Sequence, residues 1–152
     1  MRPIRPLVEK REVVVVDVAM PIVQVARIMS ERQIGAVPVV DGDRVAGIFT
    51  ERDALGRVIA AGVDPATTPV SSVMSTGLVV ADINDTHDAC MRRMQQARVR
   101  HMLVLRGGRL AGMLSMRDLL ALELDERDEA ITLLNAYVHY IPADLQQTKS
   151  GV

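Results

Sequence analysis

The segment GIFTERD at residues 47–53 has a looser copy, GMLSMRD, at residues 112–118, an offset of 65 residues. Each copy gives glycine, two apolar residues, a hydroxyl residue, a variable residue, arginine and aspartate in the same order. At this offset the matches continue upstream to residue 13 without a gap, and they include Val14/Val79, Val15/Val80, Asp17/Asp82, Arg27/Arg92, Met29/Met94, Val39/Val104, Gly42/Gly107 and Arg44/Arg109. A long period that occurs twice predicts a pseudo-symmetric pair of units rather than a solenoid.

Each copy predicts the same series of elements. An apolar run rich in β-branched residues, at 13–16 or 78–81, precedes a helix with apolar residues at i, i+3, i+4 and i+7. Two further apolar runs then flank an Asp-Gly or Gly-Gly pair, which is typical of a β-hairpin. The repeated motif begins a second helix. Each unit is therefore predicted to be β-α-β-β-α, and the fold class to be α/β (α+β), with two repeats packed about a pseudo-twofold axis.

The chain is predicted to divide into four parts. Repeat 1 covers residues 5–60 and repeat 2 covers residues 73–123, with a linker rich in small residues and proline at 61–72. Residues 124–152 are predicted to form an additional C-terminal helix and a tail. This helix would carry an apolar stripe and end at a proline, as indicated by Ile131, Leu134, Val138, Ile141 and Pro142.

Composition excludes several classes of protein. Of the 152 residues 49% are hydrophobic but only 2% are aromatic, so an aliphatic and methionine-rich core is expected. A net charge of −1 provides no basic field for a nucleic-acid partner, and the basic start at residues 2–11 is most simply a solvated tail. The single Cys90 excludes an intramolecular disulfide and a cysteine-rich zinc site. No stretch is long enough to span a membrane, and we expect a cytoplasmic protein.

The two copies together resemble a tandem pair of CBS domains, the regulatory unit also called a Bateman module. The likeness rests on IGAVPVVDGDRVAGIFTERD at 34–53 and VRHMLVLRGGRLAGMLSMRD at 99–118, and it extends over roughly residues 5–123. Leu103 departs from the pattern, because the first copy has Pro38 there and the family often has proline. No catalytic domain accompanies the repeats, which therefore look like a stand-alone pair.

The motif itself allows a structural and a functional interpretation. A hydroxyl residue at a helix start, with an acid three residues later, is a capping box that stabilises the helix by about 1 kcal/mol. The same aspartate can accept two hydrogen bonds from vicinal hydroxyls such as those of ribose, and the helix start suits a phosphate. The resemblance implies two clefts that bind adenosine nucleotides, with AMP, ADP, ATP or S-adenosylmethionine as candidate ligands and no required cofactor.

The pseudo-twofold arrangement of the family implies that each cleft also receives residues from the other repeat. The first cleft is predicted to contain Thr50, Asp53, Arg100, His101, Arg117, Val14 and Val16. The second is predicted to contain Ser115, Asp118, Arg52, Gly35, Ala36, Val79 and Ala81. Because the first cleft would hold three phosphate donors and the second only one, we expect the first to favour charged phosphates.

The sequence offers no catalytic constellation. The three histidines lie in unrelated elements, the one cysteine has no activating base, and no P-loop, dinucleotide fingerprint or metal-ligand spacing occurs. His87 and Cys90 replace apolar residues of the first copy and are expected in the core. We therefore expect no enzyme and no metal, but a homodimeric module that senses adenine nucleotides for an unidentified regulated protein. The alternative is a structural dimerisation module without a nucleotide ligand.

Overall fold

The computed structural model describes the backbone of residues 1–139 and the side chains of residues 1–136. The elements are α1 (Arg5–Glu9), β1 (Val16–Asp17), α2 (Ile22–Arg32), β2 (Ala36–Asp41), β3 (Arg44–Thr50), α3 (Glu51–Asp53), β4 (Val80–Asp82), α4 (His87–Ala97), β5 (His101–Arg106), β6 (Arg109–Ser115) and α5 (Met116–His139). A π-helical turn, Ala54–Ile59, continues α3, and a 3-10 turn, Val70–Ser72, precedes β4.

Each repeat contains one three-stranded sheet, in the order β1-β2-β3 or β4-β5-β6. The first strand pairs parallel to the second, and the second and third form an antiparallel hairpin. The hairpin turns contain Gly42 and Gly107, at φ of +60° and +57°, which is the left-handed conformation that glycine adopts without steric cost. The predicted α/β fold and the β-α-β-β-α order of each repeat are confirmed.

Each repeat has its own core, and a smaller cluster joins the two. One core surrounds Phe49 in repeat 1 and another surrounds Leu114 in repeat 2. Ala36, Ile48 and Leu103 form the joining cluster, where the two sheets meet. Full burial of one such aliphatic side chain stabilises the fold by about 1.5–3 kcal/mol. The repeats therefore share apolar contacts as well as a covalent connection.

Cys90 and His87 occupy buried positions on α4, as their alignment with apolar residues predicts. Burial raises the pKa of the Cys90 thiol to about 11, so this cysteine is an unreactive core residue. The backbone N–H of Arg2 donates to Nδ1 of His87 at 3.1 Å, and a carboxylate oxygen of Asp88 lies 2.7 Å from Nε2. Both ring nitrogens of this buried histidine therefore have polar neighbours.

Two short stretches, which we call lead-in segments, pack on the opposite repeats. Lead-in segment 1 is residues 3–11 and packs on repeat 2, while lead-in segment 2 is residues 68–76 and packs on repeat 1. In the first, Ile4 and Val8 are buried in the core of repeat 2. In the second, Val70 and Val73 are buried in the core of repeat 1.

The prediction of a solvated basic tail is wrong for the apolar half of residues 2–11. Ile4, Leu7 and Val8 recur at i, i+3 and i+4, so α1 presents an apolar side while Arg5 stays at the surface. The N–H of Ile4 donates to the carbonyl oxygen of Asp85 at 3.1 Å. The contact is close enough that a Cβ on Gly112 would lie 2.6 Å from Cγ1 of Val8.

The second helix of repeat 2 does not end before the predicted C-terminal helix. Met116–His139 is one continuous helix, because the sequence over this range contains neither glycine nor proline. In repeat 1 the equivalent helix contains Gly56 and changes to a π-helical turn. Ile131 and Leu134 of the predicted stripe are exposed. The side chain of Val138, together with Ile141 and Pro142, lies outside the described residues.

Candidate ligand-binding clefts

The first cleft lies between the repeats and encloses about 460 Å³, within the range of roughly 300–1,000 Å³ that is usual for small-molecule sites. Repeat 1 contributes the end of β3 and the start of α3. Repeat 2 contributes the loop that joins α4 to β5. The stretch from lead-in segment 2 to β4 completes the wall, so that the lining includes Thr50, Asp53, Arg57, Ser75, Val79, Arg98, Arg100 and His101.

The Asp53 carboxylate is fixed by the helix start that it caps. The N–H and the hydroxyl of Thr50 donate to Oδ2 at 3.0 and 3.1 Å, and the N–H of Asp53 donates to Oγ1 of Thr50 at 3.2 Å. The other oxygen, Oδ1, accepts a hydrogen bond from the Ser75 hydroxyl at 2.8 Å. The motif therefore forms the capping box that its structural interpretation predicts, and the cap uses only one carboxylate oxygen, Oδ2.

The second cleft repeats this arrangement around Ser115 and Asp118, and it encloses about 590 Å³. The N–H of Ser115 donates to Oδ2 of Asp118 at 2.8 Å, and the N–H of Asp118 donates to Oγ of Ser115 at 3.2 Å. Here a guanidinium nitrogen of Arg11 donates to Oδ1 at 2.8 Å. Burial alone would raise the pKa of Asp118, but the bonds from Arg11 and Ser115 outweigh burial and lower it.

Four residues line both clefts, which therefore share a wall. They are Gly35, Glu51, Arg100 and His101. A Cβ on Gly35 would lie 3.4 Å from the Glu51 carboxyl carbon, so these two residues are neighbours in this wall. Burial lowers the pKa of His101, although Glu51 and Asp118 oppose the shift. At neutral pH this imidazole is consequently mostly uncharged and offers a hydrogen bond rather than a full positive charge.

The two motif arginines are exchanged relative to the prediction. Arg52 lines the first cleft and Arg117 lines the second, each in the cleft of its own motif. The reason is local, because each arginine follows the capping residue of its helix by two positions and stays at the mouth of the adjacent cleft. The first cleft has four arginines, which are Arg52, Arg57, Arg98 and Arg100. The second has three, which are Arg11, Arg117 and the Arg100 that lines both clefts.

The predicted apolar strand residues are also exchanged or buried. Val79 lines the first cleft and Val14 the second, because the stretches that lead into β4 and β1 start from lead-in segments packed on the opposite repeats. Val16 and Ala81 are buried in the cores of their own repeats, and Ala36 is buried between the sheets. None of these three lines either cleft. Of the remaining predicted residues, Thr50, Asp53, Arg100 and His101 line the first cleft, and Gly35, Ser115 and Asp118 line the second.

Sequence reasoning missed five cleft residues, Arg11, Glu51, Arg57, Ser75 and Arg98. Extending the offset of 65 upstream would have placed Arg11 opposite Thr76, but only Val8 and Val73 are identical in that stretch. The signal was therefore too weak to reveal that the lead-in segments belong to the repeat pattern.

Among the described side chains, those of residues 1–136, no group of three or more histidine, cysteine, aspartate or glutamate residues is arranged to hold a metal ion. In the same part of the chain, no helix combines the length and the apolar composition needed to cross a bilayer.

Two α/β repeats that each close a cleft with a hydroxyl-aspartate motif define a tandem-repeat module. The chain belongs to the CBS domain family, which it matches over residues 7–60 and 70–125. The resemblance noted in the sequence is thereby confirmed.

Three known proteins illustrate the relationship. The chain is 31% identical over 112 residues to the CBS domain-containing protein YhcV of Bacillus subtilis, covering 74% of this chain and 79% of that protein. A CBS-domain structure from Burkholderia ambifaria, with a proposed role in signal transduction, is 35% identical with a TM-score of 0.69 and covers 72% of this chain and 81% of its own. A hexameric CBS-CP12 protein from bloom-forming cyanobacteria is 28% identical with a TM-score of 0.65 and covers 72% of this chain and 64% of its own.

Proposed function

We propose that this chain is a regulatory module that binds an adenine nucleotide in the first cleft and communicates its occupancy to a partner protein. The observation that carries the proposal is the fixed Asp53 carboxylate in an inter-repeat cleft with four arginines. A nucleotide offers the complementary groups, because its ribose has vicinal hydroxyl donors and its phosphates are anionic.

The ribose would bind at Oδ1 of Asp53. Each carboxylate oxygen has about two lone-pair positions, and Oδ1 has one described hydrogen bond, from Ser75. The Ser75 hydroxyl is itself an acceptor and can receive a second ribose hydroxyl. The capping bonds to Oδ2 hold the carboxylate in place, so little ordering remains to be done when the ligand arrives.

The phosphates would bind to the arginines. Arg52, Arg57, Arg98 and Arg100 face two carboxylates, Glu51 and Asp53, so the cleft has an excess of positive charge. A charge-assisted hydrogen bond to phosphate contributes about 1.5–3 kcal/mol. We therefore expect AMP, ADP and ATP to bind more tightly than adenosine or S-adenosylmethionine.

Communication to a partner follows from where the cleft lies. Its walls come from both repeats, so a ligand that prefers one relative arrangement of the repeats stabilises that arrangement. The exposed surface of either repeat then presents a different shape to a partner protein. The proposed role is regulatory rather than enzymatic, because none of its steps needs a bond to be made or broken.

A structural dimerisation module remains the second candidate function, and one observation favours it. Leu55 and Ile59 on the second helix of repeat 1, and the equivalent Leu120 and Leu124 on α5, are 48–72% exposed. Exposed large apolar side chains at matching places on both repeats form a surface suited to a second copy of the chain. The hexameric cyanobacterial relative is an example of a CBS-domain protein that assembles.

The deciding experiment is a calorimetric titration with AMP and ATP. We expect Asp53→Asn to weaken binding at least tenfold, because the amide keeps the cap but replaces an acceptor for the ribose. The matched variant Asp118→Asn should leave binding in the first cleft within about twofold of the unsubstituted chain.

Equal losses in both variants would contradict the assignment to the first cleft. A parallel thermal-unfolding screen with AMP, ADP, ATP and S-adenosylmethionine separates the two candidate functions. A ligand at about 100 times its Kd stabilises the fold by about 2.7 kcal/mol, so no shift with any of them would favour the dimerisation module.

A further inference from the structure

The two clefts differ in the group that bonds Oδ1 of the motif aspartate, which is the carboxylate oxygen that the helix cap does not use. In the first cleft Oδ1 of Asp53 accepts from the neutral hydroxyl of Ser75. Arg57 is also near, with Nε 3.6 Å from Oδ1, but this guanidinium donates its hydrogen bond to the carbonyl oxygen of Met74. In the second cleft Oδ1 of Asp118 accepts directly from the guanidinium of Arg11 at 2.8 Å.

The Arg11 contact occupies the position where a vicinal diol would bind. Asp118 has two oxygens, and Oδ2 is already committed to the N–H of Ser115. A neutral nucleoside that binds this carboxylate as proposed for Asp53 must share Oδ1 with the Arg11 guanidinium or displace it. Displacing a charge-assisted hydrogen bond costs more than sharing the oxygen with a hydroxyl such as Ser75. The bond joins a mostly covered carboxylate, 14% exposed, to an arginine side chain that is 52% exposed.

The backbone that carries Arg11 is anchored rather than free. Ile4 and Val8 of lead-in segment 1 are buried in repeat 2, and the N–H of Arg11 donates to the carbonyl oxygen of Val8 at 3.2 Å. At the offset of 65, Arg11 corresponds to Thr76, which lines the first cleft. In the second cleft the residue at this equivalent position bonds the motif aspartate, whereas in the first cleft the bond to Asp53 comes from Ser75, one residue before Thr76.

We propose that Arg11 determines which cleft takes a nucleoside, because its guanidinium occupies the hydroxyl-binding oxygen of Asp118 and leaves the first cleft as the primary site. This inference rests on the proposed function, since it assumes that the motif aspartates bind ribose. It assigns to the second cleft a built-in competitor that belongs to the chain itself. The ligands disfavoured in the second cleft are those with a neutral vicinal diol and no anionic group, because an anionic group could bind the displaced guanidinium.

The test compares the chain as it stands with Arg11→Thr, which gives the second cleft the residue type found at Thr76. Adenosine is the probe, because it has the ribose diol and no phosphate. Two-dimensional ¹H–¹⁵N NMR titrations follow the backbone amides of residues 50–53 and 115–118 separately. We expect Arg11→Thr to lower the Kd at 115–118 about tenfold and to leave the Kd at 50–53 within about twofold.

Arg5→Thr is the matched control. Arg5 lies on the same lead-in segment and donates to Asn84 at 2.6 Å, but it lines neither cleft, so its loss should change neither Kd. A second readout needs no ligand. The carboxyl ¹³C titration of Asp118 should move to a higher pKa in Arg11→Thr, because the main bond that lowers this pKa is removed.

Each outcome bears on the inference. An unchanged or weaker Kd at 115–118 in Arg11→Thr, with binding at 50–53 intact, would overturn the role of Arg11 and leave the proposed function standing. Binding at 115–118 in Arg11→Thr, without any at 50–53 in either protein, would support the competitor role and overturn the first cleft as the primary site. No shifted amides in either cleft of any protein would overturn both the inference and the proposed function.

Discussion

Replacing Gly112 with alanine tests whether lead-in segment 1 packs on repeat 2 as described. The new Cβ would lie 2.6 Å from Cγ1 of Val8, whereas carbon atoms in contact are about 3.5–4.0 Å apart. One of the two groups must therefore move by about 1 Å. Val8 has little freedom to do so, because a β-branched residue in a helix is restricted to one main rotamer. Overpacking of this kind destabilises by about 1–3 kcal/mol.

The assay is urea unfolding followed by far-ultraviolet circular dichroism, since the chain has no tryptophan to report by fluorescence. Gly112→Ala should lower the free energy of unfolding by about 1–3 kcal/mol. Val8→Ala removes two buried methyl groups and should cost about 2 kcal/mol on its own. In the double variant the alanine methyl has room, so the combined loss should fall short of the sum by about 1–2 kcal/mol.

Gly56→Ala is the control, because no atom lies within 4 Å of its added Cβ and its backbone is helical. This variant should be neutral or slightly stabilising. The reasoning would be refuted if Gly112→Ala were as stable as Gly56→Ala, or if the losses in the double variant simply added.

Two further predictions concern acid stability and assembly. Asp85 and Asp118 have folded-state pKa values below the ordinary 3.8, because hydrogen bonds from their arginine partners outweigh burial. Their stabilising contribution is complete above that pH and is lost as the pH falls through the folded-state pKa values. The urea concentration at the unfolding midpoint should therefore decrease when the pH is lowered below about 4, and it should decrease less steeply in Asp118→Asn. For assembly, sedimentation should show a dimer, and Leu55→Glu or Leu124→Glu should convert it to a monomer. The control Leu133→Glu, on another side of α5, should leave the dimer intact. An unchanged mass in all three variants would exclude the surface around Leu55 and Leu124 as the dimer contact.

The sequence was sufficient for the fold because its strongest signals are local. The Asp41-Gly42 and Gly107-Gly108 turns lie between apolar runs, and such turns specify hairpins with little help from the rest of the chain. The motif at Thr50–Asp53 forms the capping box that its spacing predicts. Repetition of these signals then identified the second unit.

The placement of cleft residues could not be predicted in the same way, because it depends on contacts between distant segments. Nothing around Pro3–Val8 indicates locally that it docks beside Asp85 rather than beside its own repeat. Once it is known that each lead-in segment packs on the opposite repeat, the positions of Val14, Val79 and Arg11 follow directly. The two motif arginines were assigned to the wrong clefts for another reason. The family resemblance was taken to imply that each cleft receives the arginine of the other repeat, whereas each arginine stays beside the capping residue of its own helix.

The continuity of α5 was missed for a simpler reason. The end of the second copy looks in the sequence like a boundary between two elements, because the residues beyond it have no counterpart in the first copy, although helix propensity is uninterrupted there. The end of a repeat and the end of a helix are separate properties.

The exchange of lead-in segments has a consequence for biosynthesis. Residues 3–11 are made before the surface on which they pack, because that surface includes β6, about a hundred residues further along the chain. Repeat 1 likewise needs residues 68–76 before its core is closed. The contacts of Ile4 and Val8 therefore join segments far apart in the sequence, and they can form only after repeat 2 has been made.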